Sequence, residues 1–120
     1  MSAFGEFVQE QMAGFGPVNI RPMFGGEGVF RDGLMFALIA EETLYFKADQ
    51  LTRARFEERG LAPFTYRLRG KTSTFGYFTA PEEVLDDAGA MKEWAGLGWG
   101  AALRAAHAKA EKDGAKRERP

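Results

Sequence analysis

The sequence contains no cysteine. Disulfide bonds, zinc sites built on thiolates and cysteine nucleophiles are therefore excluded. Histidine is almost as scarce, since His107 is the only one, and Glu111 is the only carboxylate at helical spacing from it. One histidine and one carboxylate do not complete a metal site. We therefore assign no residue to a catalytic, cofactor-binding or metal-binding role, and we expect no cofactor.

The chain also lacks an apolar run of about 18 residues, the length that a membrane-spanning helix needs. Residues 1–6 lack the basic and apolar regions of a signal peptide. We therefore expect a cytoplasmic protein with no membrane partner. The formal net charge is −1, so no overall positive field attracts nucleic acid, although a local basic patch stays open as an alternative.

Phenylalanine and glycine are abundant, with 11 and 15 copies in 120 residues. Many rings predict a core built largely from phenylalanine, and many glycines predict tight turns and close approaches of the backbone. The length fits one domain. We place this domain at residues 1–110 and expect the charged residues 111–120 to form a disordered tail.

A run of seven apolar residues, Leu34–Ala40, is the centre of the predicted fold. Its length is typical of a strand buried on both faces. Asp32-Gly33 before it favours a type I′ hairpin turn, and Glu41-Glu42 after it separates it from the next alternating segment. With a first strand at Val18–Phe24, these segments predict three or four consecutive antiparallel strands.

A second hairpin is predicted further along the chain. Residues 64–68 and 72–79 alternate in polarity, and Gly70-Lys71 between them fits a type II′ turn. This pair of strands can extend the first sheet. The expected fold is therefore α+β, with an antiparallel sheet of about five or six strands in two hairpin units.

Helices are expected to pack on this sheet at the N-terminus, in the middle and at the C-terminus of the chain. The hydrophobic spacing and capping residues place them at Ala3–Phe15, Gln50–Arg59 and Ala88–Ala110. The partial apolar stripe of the middle helix predicts a surface position. A capping-box pattern at residues 79–82 starts a further helix near Ala80. Gly98 and Gly100 weaken the last helix, so a break there is an alternative.

The first candidate site is a glycine-rich segment that comprises Arg21, Met23, Phe24, Gly25, Gly26 and Gly28. A phosphate-binding loop would need a Gly-Lys-Ser/Thr ending and a following helix whose amides face the anion, and neither is present. A turn or bulge between strands is therefore the preferred interpretation. The alternative is an interaction or anion site, with Arg21 beside the glycine turn.

The second candidate site is basic. Strand alternation would place Arg67 and Arg69 on one face, with Lys71 in the turn beyond them. Beside the rings of Phe75 and Tyr77, these cations could grip single-stranded nucleic acid. The preferred interpretation is a solvated outer face of the sheet whose rings turn into the core.

The central segment also resembles a known family. The residues RPMFGGEGVF at 21–30, GLMFALI at 33–39 and LYFKAD at 44–49 are similar to the N-terminal domain of the TfoX family, also called Sxy. Further similarities are at Phe64, Tyr66, Tyr77, Phe78, Pro81 and Trp94. The chain is accordingly identified as a single-domain member.

The resemblance implies an antiparallel α+β fold without catalytic residues. Members with two domains regulate natural competence as transcriptional co-activators of DNA-uptake genes and work with a cyclic-AMP receptor protein. The first hypothesis is therefore a non-enzymatic regulatory or protein-interaction module, with transcription machinery as the expected partner and a homodimer as an alternative state. The second is a domain that binds a small anion or nucleotide, or an unrecognised enzyme. Weak nucleic-acid binding through the basic hairpin is the third.

Overall fold

An antiparallel sheet organises the molecule. The computed structural model describes residues 1–23 and 25–118, without the side chains of Leu68, residues 73–75 and residues 115–118. The described residues form six strands: β1 (Asn19–Met23), β2 (Gly26–Arg31), β3 (Leu34–Ala40), β4 (Thr43–Lys47), β5 (Pro63–Leu68) and β6 (Lys71–Thr79). They also form α1 (Ala3–Gln11), α2 (Arg53–Glu57), a 3₁₀ helix (Glu82–Leu85) and α3 (Ala88–Glu118).

The strands lie in the order β1-β2-β3-β4-β6-β5, and every neighbouring pair is antiparallel. The predicted α+β fold is confirmed, and so is the strand at Leu34–Ala40. The strand order departs from chain order at one place. After β4 the chain passes through α2 to the edge of the sheet, so β6 lies beside β4 and β5 becomes an edge strand.

Positive φ values mark the two-residue hairpin turns whose residues the structure describes. Asp32 and Gly33 have φ values of 49° and 80°, which confirms the predicted turn. The second predicted turn is shifted by one residue, because Leu68 pairs with Lys71 and the turn residues are Arg69 (φ 53°) and Gly70 (φ 77°). Gly70 thus occupies the second turn position, and the type II′ prediction is wrong.

Local hydrogen bonds correct the bounds of the shorter helices. The Asp49 carboxylate accepts from the amides of Leu51 (3.0 Å) and Thr52 (3.2 Å), so a turn replaces the first residues of the predicted helix and α2 begins at Arg53. Its Phe56 is fully buried, whereas its other four residues are exposed, as expected for a helix at the surface. α1 ends at Gln11, before the predicted Phe15, and the chain continues in turns.

The predicted capping box does not form. The Thr79 hydroxyl donates to the Ala62 carbonyl (2.9 Å), and the 3₁₀ helix begins after Pro81. The start of α3 is confirmed, since the Asp87 carboxylate accepts from the amides of Gly89 (2.8 Å) and Ala90 (3.1 Å).

The long helix α3 is continuous through Gly98 and extends past its predicted end at Ala110 to Glu118. The placement of the domain boundary at residue 110 stays a prediction. Among the described helices, none is long and apolar enough to cross a membrane.

The two faces of the sheet pack differently. On the helix-covered face, residues from α1, α2, the 3₁₀ helix and α3 join the sheet in the main core, which includes Val8, Met12, Phe36, Phe46, Phe56, Val84, Met91 and Trp94. We call the opposite face the open face. One row of cross-strand pairs, Arg21, Gly28, Leu38 and Tyr45, runs across it. A second cluster of Leu38, Phe64 and Tyr77 lies there, and none of its members comes from a described helix.

A bulge in β3 allows burial on both faces. Val29 pairs with Ala37 and Phe30 with Met35, so Phe36 is an extra residue in the ladder. The main core takes up Phe36, Ala37 and Ile39, whereas Leu38 joins the open-face cluster. The seven-residue apolar run is therefore buried from two sides.

Candidate functional site

A groove on the open face is the candidate site. It has a volume of about 420 Å³ and lies between edge strand β5 and the turns at one end of the sheet. We call it the β5 groove. Its lining comprises Gly25, Ala40, Glu41, Tyr45 and residues 63–67.

Aromatic packing fixes the floor of the groove. The rings of Tyr45 and Phe64 meet edge to face, with centroids 5.0 Å apart. Below them, the Tyr77 hydroxyl donates to the Met35 carbonyl (3.3 Å). Burial raises the pKa of Tyr77 to about 12, so its phenol stays protonated at neutral pH. This part of the groove offers packing rather than acid–base chemistry.

The basic candidate residues occupy three different local positions. Arg67 lines the groove on β5, Arg69 lies in the turn, and Lys71 begins β6. The prediction that alternation places Arg67 and Arg69 on one face is wrong, because the left-handed backbone at Arg69 ends the strand pattern before it. All three side chains are exposed, and none forms an ion pair with a residue that the structure describes.

Of the two rings expected beside these cations, the structure describes Tyr77, and this ring packs elsewhere. Tyr77 is buried in the open-face cluster, and its ring lies 5.2 Å from Nζ of Lys47. The side chain of Phe75 lies outside the described part of the chain. Strand β6 thus turns Tyr77 inward, as the preferred interpretation has it.

The glycine-rich segment is split between a turn and a strand. Gly25 (φ 76°) is a turn residue, whereas Gly26 and Gly28 lie inside β2. A Cβ on Gly26 would collide with the carbonyl oxygen of Ile39, and one on Gly28 would approach Sδ of Met35 to 2.9 Å. The interpretation as a turn therefore holds for Gly25, and close packing explains the other two glycines. Phe24 lies outside the described residues.

Arg21 is not directed at the glycine turn. Its guanidinium lies 5.0 Å from the centroid of the Phe30 ring, over the open face. Arg21 pairs with Gly28, whereas Met23 pairs with Gly26 at the turn. Met23 also borders a small cavity between β2, β3 and Phe64. Arg21 therefore lies beside Gly28 rather than Gly25, and the anion site stays a prediction.

The structure instead joins the two candidate sites at the groove, because Gly25 and Arg67 both line it. Glu41, Tyr45 and Thr65 could not be recognised from the sequence as neighbours of this pair, since their proximity depends on the edge position of β5. The groove is lined by a carboxylate residue, a tyrosine and the edge strand that carries Arg67, a set suited to recognition. Within residues 1–23 and 25–118, no group of three histidine, aspartate or glutamate residues could hold a metal ion.

Comparisons with known proteins agree with the architecture. The family model described as the TfoX N-terminal domain matches residues 10–102, a range that contains all six described strands and the β5 groove. The chain is also 37% identical over 67 residues to the DNA transformation protein TfoX1 of Aliivibrio fischeri (strain ATCC 700601 / ES114). That alignment covers 56% of this chain and 32% of the relative, so the matched segment spans about a third of the relative's length.

Proposed function

The chain belongs to the TfoX N-terminal domain family, and on that premise we propose that it is a regulatory, protein-interaction domain in the control of DNA uptake. The relative in Aliivibrio fischeri is named a DNA transformation protein, which supports this biological setting. Transcription machinery is the proposed partner, and self-association is the alternative.

The open face carries the proposal of an interaction role. The helices pack on the other face, whereas the open face presents a groove with exposed cations that have no carboxylate partner among the described residues. Glu41, Tyr45 and Arg67 line it, and the described lining residues form no nucleophile–base pair. This combination favours recognition of a partner over catalysis.

Deletion of the gene in its own bacterium tests the function. We expect a lower transformation frequency and lower transcript levels of DNA-uptake genes, with both restored by the wild-type gene. The Arg67→Glu variant should restore them less well, while Arg21→Glu serves as the charge-matched control on the same face. An unchanged transformation frequency and unchanged transcripts in the deletion strain would overturn the proposal.

A small anion or nucleotide is the second candidate for recognition. The groove volume of about 420 Å³ falls in the range of small-molecule pockets, and it brings Gly25 and Arg67 together. Thermal unfolding with ATP, GTP, cyclic AMP and inorganic phosphate tests this role. A ligand at a hundred times its Kd stabilises the protein by about 2.7 kcal/mol, so a flat screen rules out these ligands.

A further inference from the structure

The two edges of the sheet differ in what their backbones offer. Edge strand β1 contains Pro22, which has no amide proton, and proline in a sheet sits where its nitrogen faces outward. That edge therefore presents an interrupted set of donors. Edge strand β5 has its only proline, Pro63, at its first residue. The rest of β5 can present both donors and acceptors.

The hairpin turn determines which groups of β5 face outward. Leu68 and Lys71 flank the two-residue turn, so they form a hydrogen-bonded pair. Hydrogen-bonded and non-hydrogen-bonded pairs alternate along an antiparallel ladder. Arg67 opposite Thr72 and Thr65 opposite Thr74 are therefore non-hydrogen-bonded pairs. The amides and carbonyls of Thr65 and Arg67 consequently point away from β6.

These outward groups match what an added antiparallel strand needs. Thr65 and Arg67 are two residues apart, both are exposed, and both line the β5 groove. An extended peptide can exchange hydrogen bonds with both residues and place alternate side chains along the groove. The irregularity in the ladder lies between Pro63 and Thr65, at the start of β5, and leaves this stretch regular.

Charge selects the composition of such a peptide. Arg67, Arg69 and Lys71 give the hairpin end of β5 a positive charge that no described carboxylate neutralises. At the other side of the groove, Glu41 contributes a negative charge. A complementary segment carries acidic residues near the hairpin and a neutral residue beside Glu41.

The same features disfavour nucleic acid in this groove. Phosphate oxygens accept hydrogen bonds but donate none, so they leave the outward carbonyls of Thr65 and Arg67 unpaired. A nucleic acid strand also carries a charge at every phosphate, so its backbone brings negative charge close to Glu41. A peptide satisfies both requirements.

We propose that β5 binds an extended, acidic segment of a protein partner as a seventh strand, in the β5 groove and antiparallel to β5. This proposal rests on the interaction role proposed above and names the site and the chemistry of the partner. The outward backbone groups of Thr65 and Arg67 bind the main chain of the segment. The cations of the hairpin bind its acidic side chains.

The first test uses a fluorescein-labelled peptide of alternating valine and glutamate and measures fluorescence anisotropy on the full chain. We expect saturable binding that Arg67→Glu weakens by about tenfold, since it reverses a charge at the interface. Arg21→Glu makes the same charge change on the open face outside the groove and should leave the affinity unchanged. Absence of saturable binding to the wild-type protein would overturn the proposal.

The second test addresses the backbone. Two versions of the peptide carry N-methyl groups on alternate amides, one in each register, and only the register whose methyl groups face β5 should lose binding. Thr65→Pro removes an outward amide without removing a bond to β6, so it should weaken binding while circular dichroism and Tm show an intact fold. Equal binding of both methylated peptides would refute strand addition.

Three further outcomes separate this proposal from others. If a twelve-nucleotide single-stranded DNA displaces the peptide and binds more tightly, the groove is a nucleic-acid site and the proposal fails. If deletion of the gene lowers transformation but Thr65→Pro and Arg67→Glu do not, strand addition fails while the proposed function stands. If the peptide binds as expected but deletion has no effect, the proposed function fails and the binding site stands.

Discussion

Two adjacent residues of β4 show how differently the two faces of the sheet are built. Phe46 is fully buried under α3, whereas Tyr45 is half-buried in the β5 groove. The ion pairs found among the described residues involve the helices and the Asp49 turn, while Arg21 and Lys47 on the open face lie over rings. The helix-covered face thus holds most of the buried side chains, whereas Arg21 and Lys47 on the open face form no ion pair with a described carboxylate.

Replacing Phe46 or Tyr45 with alanine should give the largest difference in the free energy of unfolding between the two faces. Phe46→Ala removes a fully buried ring and should lower the free energy of unfolding by about 3–5 kcal/mol. Tyr45→Ala leaves a site that solvent already reaches and loses the edge-to-face contact with Phe64, worth about 0.5–1.5 kcal/mol beyond buried area. Urea unfolding of both variants measures the difference. Equal losses would show that the open face is as important to stability as the main core.

Two glycines of α3 test how closely the helix must approach the sheet. A Cβ on Gly98 would lie 2.8 Å from the Phe36 carbonyl oxygen and 3.3 Å from Cδ1 of Phe46. Gly98→Ala should therefore cost about 1–3 kcal/mol, because overpacking outweighs the gain in helix propensity of about 1 kcal/mol. Gly96→Ala meets nothing within 4 Å and should be stabilising. Thermal unfolding measures whether each variant raises or lowers Tm. A Gly98→Ala variant with a raised Tm would contradict the close approach of α3 to the sheet.

The elements that could be predicted are those whose cause is local. Leu34–Ala40 is a strand because its apolar run lies between two turns, and Asp32-Gly33 is a turn because both residues tolerate positive φ. The start of α3 follows from the carboxylate of Asp87, which satisfies free amides at the helix end. In each case, neighbours in sequence decide the conformation.

The β5 groove could not be predicted because distant packing creates it. The burial of Phe56 against Phe78 and Trp94 helps to hold α2 where the chain can pass β4 and place β5 at the edge. Gly25 and Arg67 meet through that strand order, whereas each was predicted as part of a separate site. Residue patterns identify candidate groups, but the strand order decides which of them share a surface.

The β3–β4 turn connects the two faces of the sheet. A substitution in this turn should change the free energy of unfolding by less than those in the core. Glu41 lines the β5 groove, whereas Glu42 borders a cavity beside Phe4 and the 3₁₀ helix. Glu42 has φ of 57°, a conformation that costs a residue with a side chain about 1–2 kcal/mol. Glu42→Gly should therefore raise the free energy of unfolding by about 0.5–1 kcal/mol, after the entropy of the unfolded glycine is subtracted.

Gly33 provides the matched control for this turn. It has φ of 80°, and a Cβ there would meet nothing within 4 Å, so Gly33→Ala changes only the backbone preference. It should be destabilising by about 1 kcal/mol in the same urea measurement. Effects of the same sign for the two variants would refute the left-handed backbone at one of the turns. Peptide binding in the β5 groove should be unchanged by Glu42→Gly.

Removing the ion pair between Arg104 and Asp49 should give the smallest change in the free energy of unfolding. The Arg104 guanidinium donates to the Asp49 carboxylate at 2.6 Å and 3.1 Å. This hydrogen bond is the main cause that lowers the pKa of Asp49; the amides of Leu51 and Thr52 act in the same direction, and burial opposes them. Because both side chains are partly exposed, Arg104→Gln should cost less than about 1 kcal/mol at pH 7.

The pH dependence of the stability lost in Arg104→Gln shows whether the charge of Arg104 or its packing stabilises the protein. A pKa lowered in the folded state means that the pair stabilises the protein fully above the unfolded value of about 3.9, and that this stability is lost as pH falls through the folded value. The difference between wild type and Arg104→Gln should therefore shrink below about pH 4. Arg53→Gln, which breaks an exposed pair within α2, is the control at pH 7. A difference that persists in acid would mean that the stem of Arg104, not its charge, connects α3 to the turn.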